Sequence, residues 1–289
     1  MDRNELLKRV RKIEIKTRAL SSNIFAGEYH SAYKGRGMAF SEVREYQPGD
    51  DVRDIDWNVT ARVNRPYVKV YEEERELTVM LLIDVSSSLA FGTSSMYKRD
   101  MVAEIAATLA YSASQNNDKI GVVLFSDQIE KYIPPKKGRK HIMYIISEIL
   151  DFQPQSQKTD INNAIEFLMQ TQHKSCTAFL ISDFLDRKDY SKALNIMSRK
   201  HDAAAIQVYD RFMTALPNVG LIKVQDAETN NELYIDTSSR RVRDAHRLAW
   251  LKLQQDLAEK MQRSNTDMVS ICTDENYVKA LINLFAKRA

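Results

Sequence analysis

From residue 77 onward, short uninterrupted apolar runs alternate with longer helical segments, and this alternation constrains the fold more than any other feature. ELTVMLLIDV, KIGVVLFSD, CTAFLISDF, AAAIQVYD and DMVSICTD read as strands. Between them, MVAEIAATLAYSASQ, HIMYIISEILDF, INNAIEFLMQTQ, a segment near 188–200, residues 240–263 and the last stretch before the terminal KRA read as helices. A strand that is apolar at successive positions, rather than at every second one, is buried on both faces. The pattern therefore predicts an α/β fold, a doubly wound, mostly parallel sheet with helices on both faces. IEKYIP is expected to be a short edge strand ended by Pro134 and Pro135, and residues 221–236 a hairpin turning at Asn230-Asn231. That hairpin is an insertion near 211–239 in a domain spanning 77–289.

Residues 1–76 do not share the pattern. Leu6, Leu7, Val10, Ile13 and Leu20 lie at near-helical spacing among basic residues, which predicts an amphipathic helix over 3–20. Residues 21–76 are rich in Gly, Arg, Asp and aromatic residues, hold no long periodic segment, and are expected to be irregular. Within them Pro48-Gly49-Asp50 is a turn signal. Arg44, Arg53 and Arg62 alternate with Asp50, Asp51, Asp54 and Asp56 around Trp57, which predicts interlocked ion pairs holding the segment rigid. The acidic run from Glu72 to Glu76 reads as a solvated strand edge or linker.

Whole-chain composition narrows the class. A net charge of +3 over 289 residues gives no electrostatic footprint for nucleic acid or an anionic membrane. Two cysteines, Cys176 and Cys272, form neither a disulfide framework nor a CxxC metal pair, so a reducing, cytoplasmic setting is expected. The apolar stretches fall short of the roughly 20 residues of a membrane span, and no signal-peptide core opens the chain.

In parallel α/β sheets ligands bind beyond the carboxyl ends of the strands. Three such ends carry polar chemistry: Asp84-Val85-Ser86-Ser87-Ser88, Lys158-Thr159-Asp160 and Ser182-Asp183. Taken singly, Ser86, Ser88, Thr159 and Asp160 could be helix caps and Asp183 a turn residue. Taken together, three hydroxyls and two carboxylates are oxygen-only donors of low total charge, the set a hard cation such as Mg²⁺ accepts while keeping positions for water or a further ligand. The glycines of a nucleophile elbow are absent around Ser86, no phosphate-binding GxxxxGK[ST] occurs, and His/Cys zinc ligation has no support.

The ordered set Asp84-x-Ser86-x-Ser88, Thr159 and Asp183 resembles the metal-ion-dependent adhesion site of von Willebrand factor A domains. The resemblance implies Ser86, Ser88 and Thr159 as ligands of Mg²⁺ or another divalent cation, with Asp84 and Asp183 bonding directly or through water. It departs at Lys158, where such loops often carry glycine, and that ammonium is expected to repel the cation. The stretch GRGMAFSEVREYQPGDDVRDIDWNVTARV, through Gly35, Gly37, Phe40, Arg44, Tyr46, Pro48, Gly49, Asp50, Asp51, Arg53, Asp56, Trp57, Ala61 and Arg62, resembles the bacterial "domain of unknown function 58" family, which carries a von Willebrand A-like domain. Pro217, Gly220, Asp226, Asp236, Thr237 and Arg243 agree with it. The resemblance is to the short form without membrane helices. It implies a Mg²⁺-dependent protein–protein interaction module without catalytic activity, partner or adaptor of a MoxR-type AAA+ ATPase whose acidic group completes the metal shell. A metal-dependent phosphate-ester hydrolase and a structural domain with a vestigial metal site are the alternatives.

Overall fold

The structure, a computed structural model, describes Ile13 and residues 39–72, 77–90, 97–186, 188–225 and 232–288. The helix expected over 3–20 (Ile13, which is helical, excepted), the acidic residues 73–76, the Asn230-Asn231 turn, and Gly35, Gly37 and Asp226 lie outside these. The chain divides into two compact units, residues 34–77 and residues 78–289 together with 1–33.

In the smaller unit, β1 (Ala39–Glu45) pairs antiparallel with β2 (Tyr67–Glu72), and the connection holds a 3-10 turn (Val52–Asp54) and helix α1 (Trp57–Val63). The segment expected to be irregular thus contains a two-stranded ribbon. Its strands are too short and too rich in polar and aromatic residues to show a period. The expected ion-pair network is formed in part. Arg44 holds Asp50 through two bonds of 2.7 and 2.8 Å. Asp51 and Asp56 turn their carboxylates to backbone N–H groups, Asp51 to Arg53 and Asp56 to Asn58 and Val59, capping the two helical turns, and Asp56 Oδ2 also lies 3.7 Å from Lys69 Nζ.

In the larger unit six strands form one sheet in the order β10-β7-β6-β3-β4-β5, running through β3 (Thr78–Asp84), β4 (Lys119–Phe125), β5 (Ile129–Lys136), β6 (Thr177–Ser182), β7 (Asp202–Tyr209) and β10 (Asp267–Cys272). All pairings are parallel except that of the edge strand β5 with β4. The doubly wound, mostly parallel sheet expected from the sequence is present. Its helices are α2 (Lys98–Gln115), α3 (Arg139–Asp151), α4 (Ile161–Thr171), α5 (Ser191–Lys200), the short α6 (Arg211–Thr214), α7 (Arg240–Arg263) and α8 (Tyr277–Ala286). Strands β8 (Leu221–Gln225) and β9 (Glu232–Asp236) form the expected hairpin as a separate antiparallel ribbon. Among the described residues no helix is long and apolar enough to cross a membrane.

The inner strands β3, β4 and β6 are almost wholly buried because each face meets helices. Met80 and Leu82 of β3, Val123 and Phe125 of β4, and Ala178 and Leu180 of β6 pack with Ile161, Ile165 and Leu168 of α4, Leu194 and Met197 of α5, and Leu257 and Met261 of α7. The alternate residues, Val79, Leu81, Ile83, Val122, Leu124, Phe179 and Ile181, are fully buried on the other face. There Phe179 meets Phe285 of α8 edge to face. Strand β5 does not end at Pro134. It runs through both prolines to Lys136, with the register shifting between Ile120 and Val122. An edge strand tolerates missing N–H donors at such an irregularity, so proline does not terminate it.

Candidate functional site

Strand β3 lies between β4, the next strand in the chain, and β6, which is reached only after a crossover. The chain leaving β3 goes on to β4 on one side and the chain leaving its neighbour β6 goes on to β7 on the other, and this reversal is the topological switch point where α/β sheets open a crevice. The parallel register sets Asp84 beside Phe125 on one side and extends the β6 row to Ser182 on the other. Asp84 is fully buried there and both its oxygens are engaged. The Ser182 hydroxyl donates to Oδ2 at 2.7 Å and the Ser86 backbone N–H donates to Oδ1 at 2.9 Å.

The three predicted hydroxyls converge. Thr159 Oγ1 donates to Ser86 Oγ at 3.0 Å, and Ser86 Oγ lies 3.0 Å from Ser88 Oγ. Thr159 is free for this because the cap of α4 is its neighbour: the Asp160 carboxylate accepts from Asn163 N–H. The loop before α4 is held from β5, where Glu130 Oε1 accepts from the Ser126 hydroxyl at 2.7 Å and from the backbone N–H groups of Gln155 and Ser156 at 3.1 Å each. Burial opposes that charge, yet these donors hold the Glu130 carboxyl below its ordinary range. On the other flank, the Ser87 hydroxyl donates to Gln157 O at 2.9 Å, tying the serine loop to the threonine loop.

Asp183 continues β6 on the opposite face from Ser182. The chain turns at Phe184, whose φ of 59° is left-handed, a conformation costing roughly 1–3 kcal/mol for a bulky residue. Phe184 is held there by its N–H bond to Ser182 Oγ at 3.0 Å and by burial of its ring. Asp183 is also buried, and its Oδ2 accepts from Lys98 Nζ at 3.0 Å while Oδ1 accepts from Leu185 N–H at 3.2 Å. Lys98 is 2% exposed. It was not singled out by the sequence reading, because KRD at the start of a helix reads as an ordinary solvated turn. The signal was its place at the first position of a helix buried almost all round, where a cation meets the positive end of the helix dipole. Lys158, the lysine the sequence placed in opposition to a cation, is exposed. The ammonium that reaches into the site is that of Lys98.

Burial first, and the nearby Asp183 charge second, push Asp84 up to about 7 against the hydrogen bonds from Ser182 and Ser86. A buried carboxylate in that position is stabilised by any cation it can reach. The hydroxyl spacing also suits one: adjacent ligands of an octahedral Mg²⁺ at about 2.1 Å stand about 3 Å apart, the separation seen between Ser86 and its two hydroxyl neighbours. The donor set therefore fits a hard divalent cation. Among the described residues no group of three His, Cys, Asp or Glu side chains is placed to hold a metal, so the candidate rests on the hydroxyls. The two cysteines are free and buried, and burial raises their thiols to about 12 for Cys176 and about 11 for Cys272.

Comparison with known proteins places the chain among relatives without an assigned activity. An uncharacterized protein, Rv1480, of Mycobacterium tuberculosis (strain H37Rv) is 30% identical over 296 residues, covering all of this chain and 91% of that protein. The uncharacterized protein YeaD of Bacillus subtilis is 27% identical over 109 residues, which cover 38% of this chain and 25% of YeaD. Among solved structures, the conserved hypothetical protein BatB from Bacteroides thetaiotaomicron aligns with a TM-score of 0.48 at 14% identity, over 73% of this chain and 98% of that one. The SpRpn10 VWA domain aligns with a TM-score of 0.40 at 11% identity, over 72% and 95% of the two chains. The model of the protein family of unknown function DUF58 matches residues 42–255, and the chain belongs to that family.

Proposed function

We propose that the chain is a divalent-cation-dependent protein-interaction module, with Mg²⁺ the cation its donors suit best. The observation that carries this reading is the convergence of Ser86, Ser88 and Thr159 beside the buried Asp84 at the switch point of the sheet. These residues would hold the cation, with Asp183 contributing charge from behind. When bound, the cation supplies a Lewis-acidic position for an acidic side chain of a partner. The hydrogen bonds of Ser182, Glu130 and Ser87 keep the donors in place beforehand, so little ordering is required on binding. Two free buried cysteines suit a reducing, cytoplasmic setting. The family resemblance points to a MoxR-type AAA+ ATPase as the partner.

Isothermal titration of Mg²⁺ into the wild type and Ser86→Ala tests the site. The substitution removes the hydroxyl that both others touch, so affinity is expected to fall at least tenfold while stability falls by about 1 kcal/mol. Equal binding by the two proteins rules the hydroxyl site out. Recovery of the host's MoxR-type ATPase on the immobilised chain is expected to drop in EDTA; recovery unaffected by EDTA removes the cation from the interaction.

A further inference from the structure

The Lys98–Asp183 pair is sealed from solvent, with the lysine 2% and the aspartate 0% exposed in their side chains. It joins residues 85 positions apart. A buried ammonium is costly unless a carboxylate answers it, and at the first position of α2 it also faces the positive end of the helix dipole. A sheet-covering helix has no structural need of a cation there, and an apolar residue would pack at lower cost. What the position does have is proximity, through Asp183, to the second carboxylate, Asp84, whose charge Asp183 itself opposes.

The inference rests on the cation reading given above. We propose that Lys98 is a positioning residue that acts as a counter-cation behind the hydroxyl site, keeping Asp183 out of direct ligation and holding the intrinsic affinity for divalent cations low. Each Asp183 oxygen already accepts one bond, Oδ2 from Lys98 and Oδ1 from Leu185 N–H, and with its charge answered by the ammonium Asp183 acts on a cation as a nearby charge or through water. Two carboxylates and one ammonium leave one net negative charge. A divalent cation seated in front of them keeps one positive charge unanswered, which an acidic group from a partner neutralises. Lys98 thereby makes tight cation binding conditional on the partner.

The experiment is titration of MgCl₂ into four full-length proteins: wild type, Lys98→Met, Asp183→Asn, and the double variant. Lys98→Met is expected to bind Mg²⁺ about tenfold or more tightly than the wild type, the scale of one unit charge acting over several ångströms at intermediate dielectric. It should also be stabilised by Mg²⁺ more than the wild type in thermal melts. Asp183→Asn leaves the ammonium without its anion and is expected to bind at least tenfold more weakly, while the double variant returns close to wild-type affinity. That last comparison stands even if Lys98→Met alone fails to fold, since replacing both members of a buried pair leaves no unpaired charge. If Lys98 only braces the fold, the double variant binds no better than Asp183→Asn, and the proposal is overturned while the cation site survives. Absence of Mg²⁺ binding in the wild type, Lys98→Met and the double variant alike overturns the cation reading and this inference with it.

Discussion

Asp84 has an ordinary carboxyl value of 3.8 in the unfolded chain and about 7 in the folded one. The folded state therefore holds this proton more tightly than the unfolded state does. Its contribution to stability is fully present below about 3.8 and is lost as pH rises through about 7. His201 works in the opposite sense. Burial lowers it from 6.5 to about 4, so its cost appears as pH falls from 6.5 towards 4. Comparing Asp84→Asn with the wild type cancels the His201 part. In urea denaturation with EDTA present, the stability difference is expected to move in favour of the variant by on the order of 3 kcal/mol between pH 4 and pH 8, and saturating Mg²⁺ should flatten it. A difference that stays constant across that range would show that Asp84 is not the strained group. At this scale the candidate site was largely legible: Asp84, Ser86, Ser88 and Thr159 were each readable from strand-end position and residue type. Lys98 was not, because its partner is 85 positions away and its one signal, a lysine opening a largely apolar helix, does not name that partner.

Strands β3, β4, β6 and β7 and the long helices were legible because burial on two faces leaves a largely apolar run with an amphipathic or alanine-rich helix beside it, and the edge strand β10 was legible from its shorter apolar stretch. Strands β1 and β2 were not, since their short segments mix polar, aromatic and apolar residues and set no period. Strand β5 shows the limit of a local rule: proline predicts an end, but the edge position and the register shift against β4 let the strand continue. That shift has a matching requirement opposite it. A Cβ added at Gly121 would come within 2.8 Å of Met80 Sδ and 2.9 Å of both Ile133 O and Pro135 N. Two of these are backbone atoms of a paired strand and cannot swing aside. Gly121→Ala is expected to cost about 1–3 kcal/mol, read as a lower urea midpoint with an unchanged slope. An unaltered midpoint would mean that β5 is free to retreat from β4.

At the scale of the whole chain, the two units differ in how they can be held together. The larger has a continuous core on both faces of its sheet. In the smaller, Val68 is the buried hydrophobic side chain among the described residues, and Trp57 is 69% exposed. Beyond the β1–β2 ladder and the part-buried Arg44–Asp50 pair, its bonds include helix caps and exposed ion pairs such as Arg65–Glu45, and exposed pairs add little stability of their own. A peptide of residues 34–77 is therefore expected to be unfolded in isolation by circular dichroism and amide dispersion; a cooperative melt of the peptide would contradict this. The prolines of β5 have a further consequence for how the molecule behaves in a crowded solution. Successive residues of a strand send their N–H groups to opposite sides, so Pro134 and Pro135 together take one donor from the inner ladder and one from the open rim of the sheet. The inner loss is absorbed by the register shift. The outer one leaves a gap where an extended peptide would seek a continuous row of donors, so this rim is a poor template for strand addition or fibre growth. Associations of this protein are thereby directed away from indiscriminate backbone pairing along β5 and towards contacts that side chains can select.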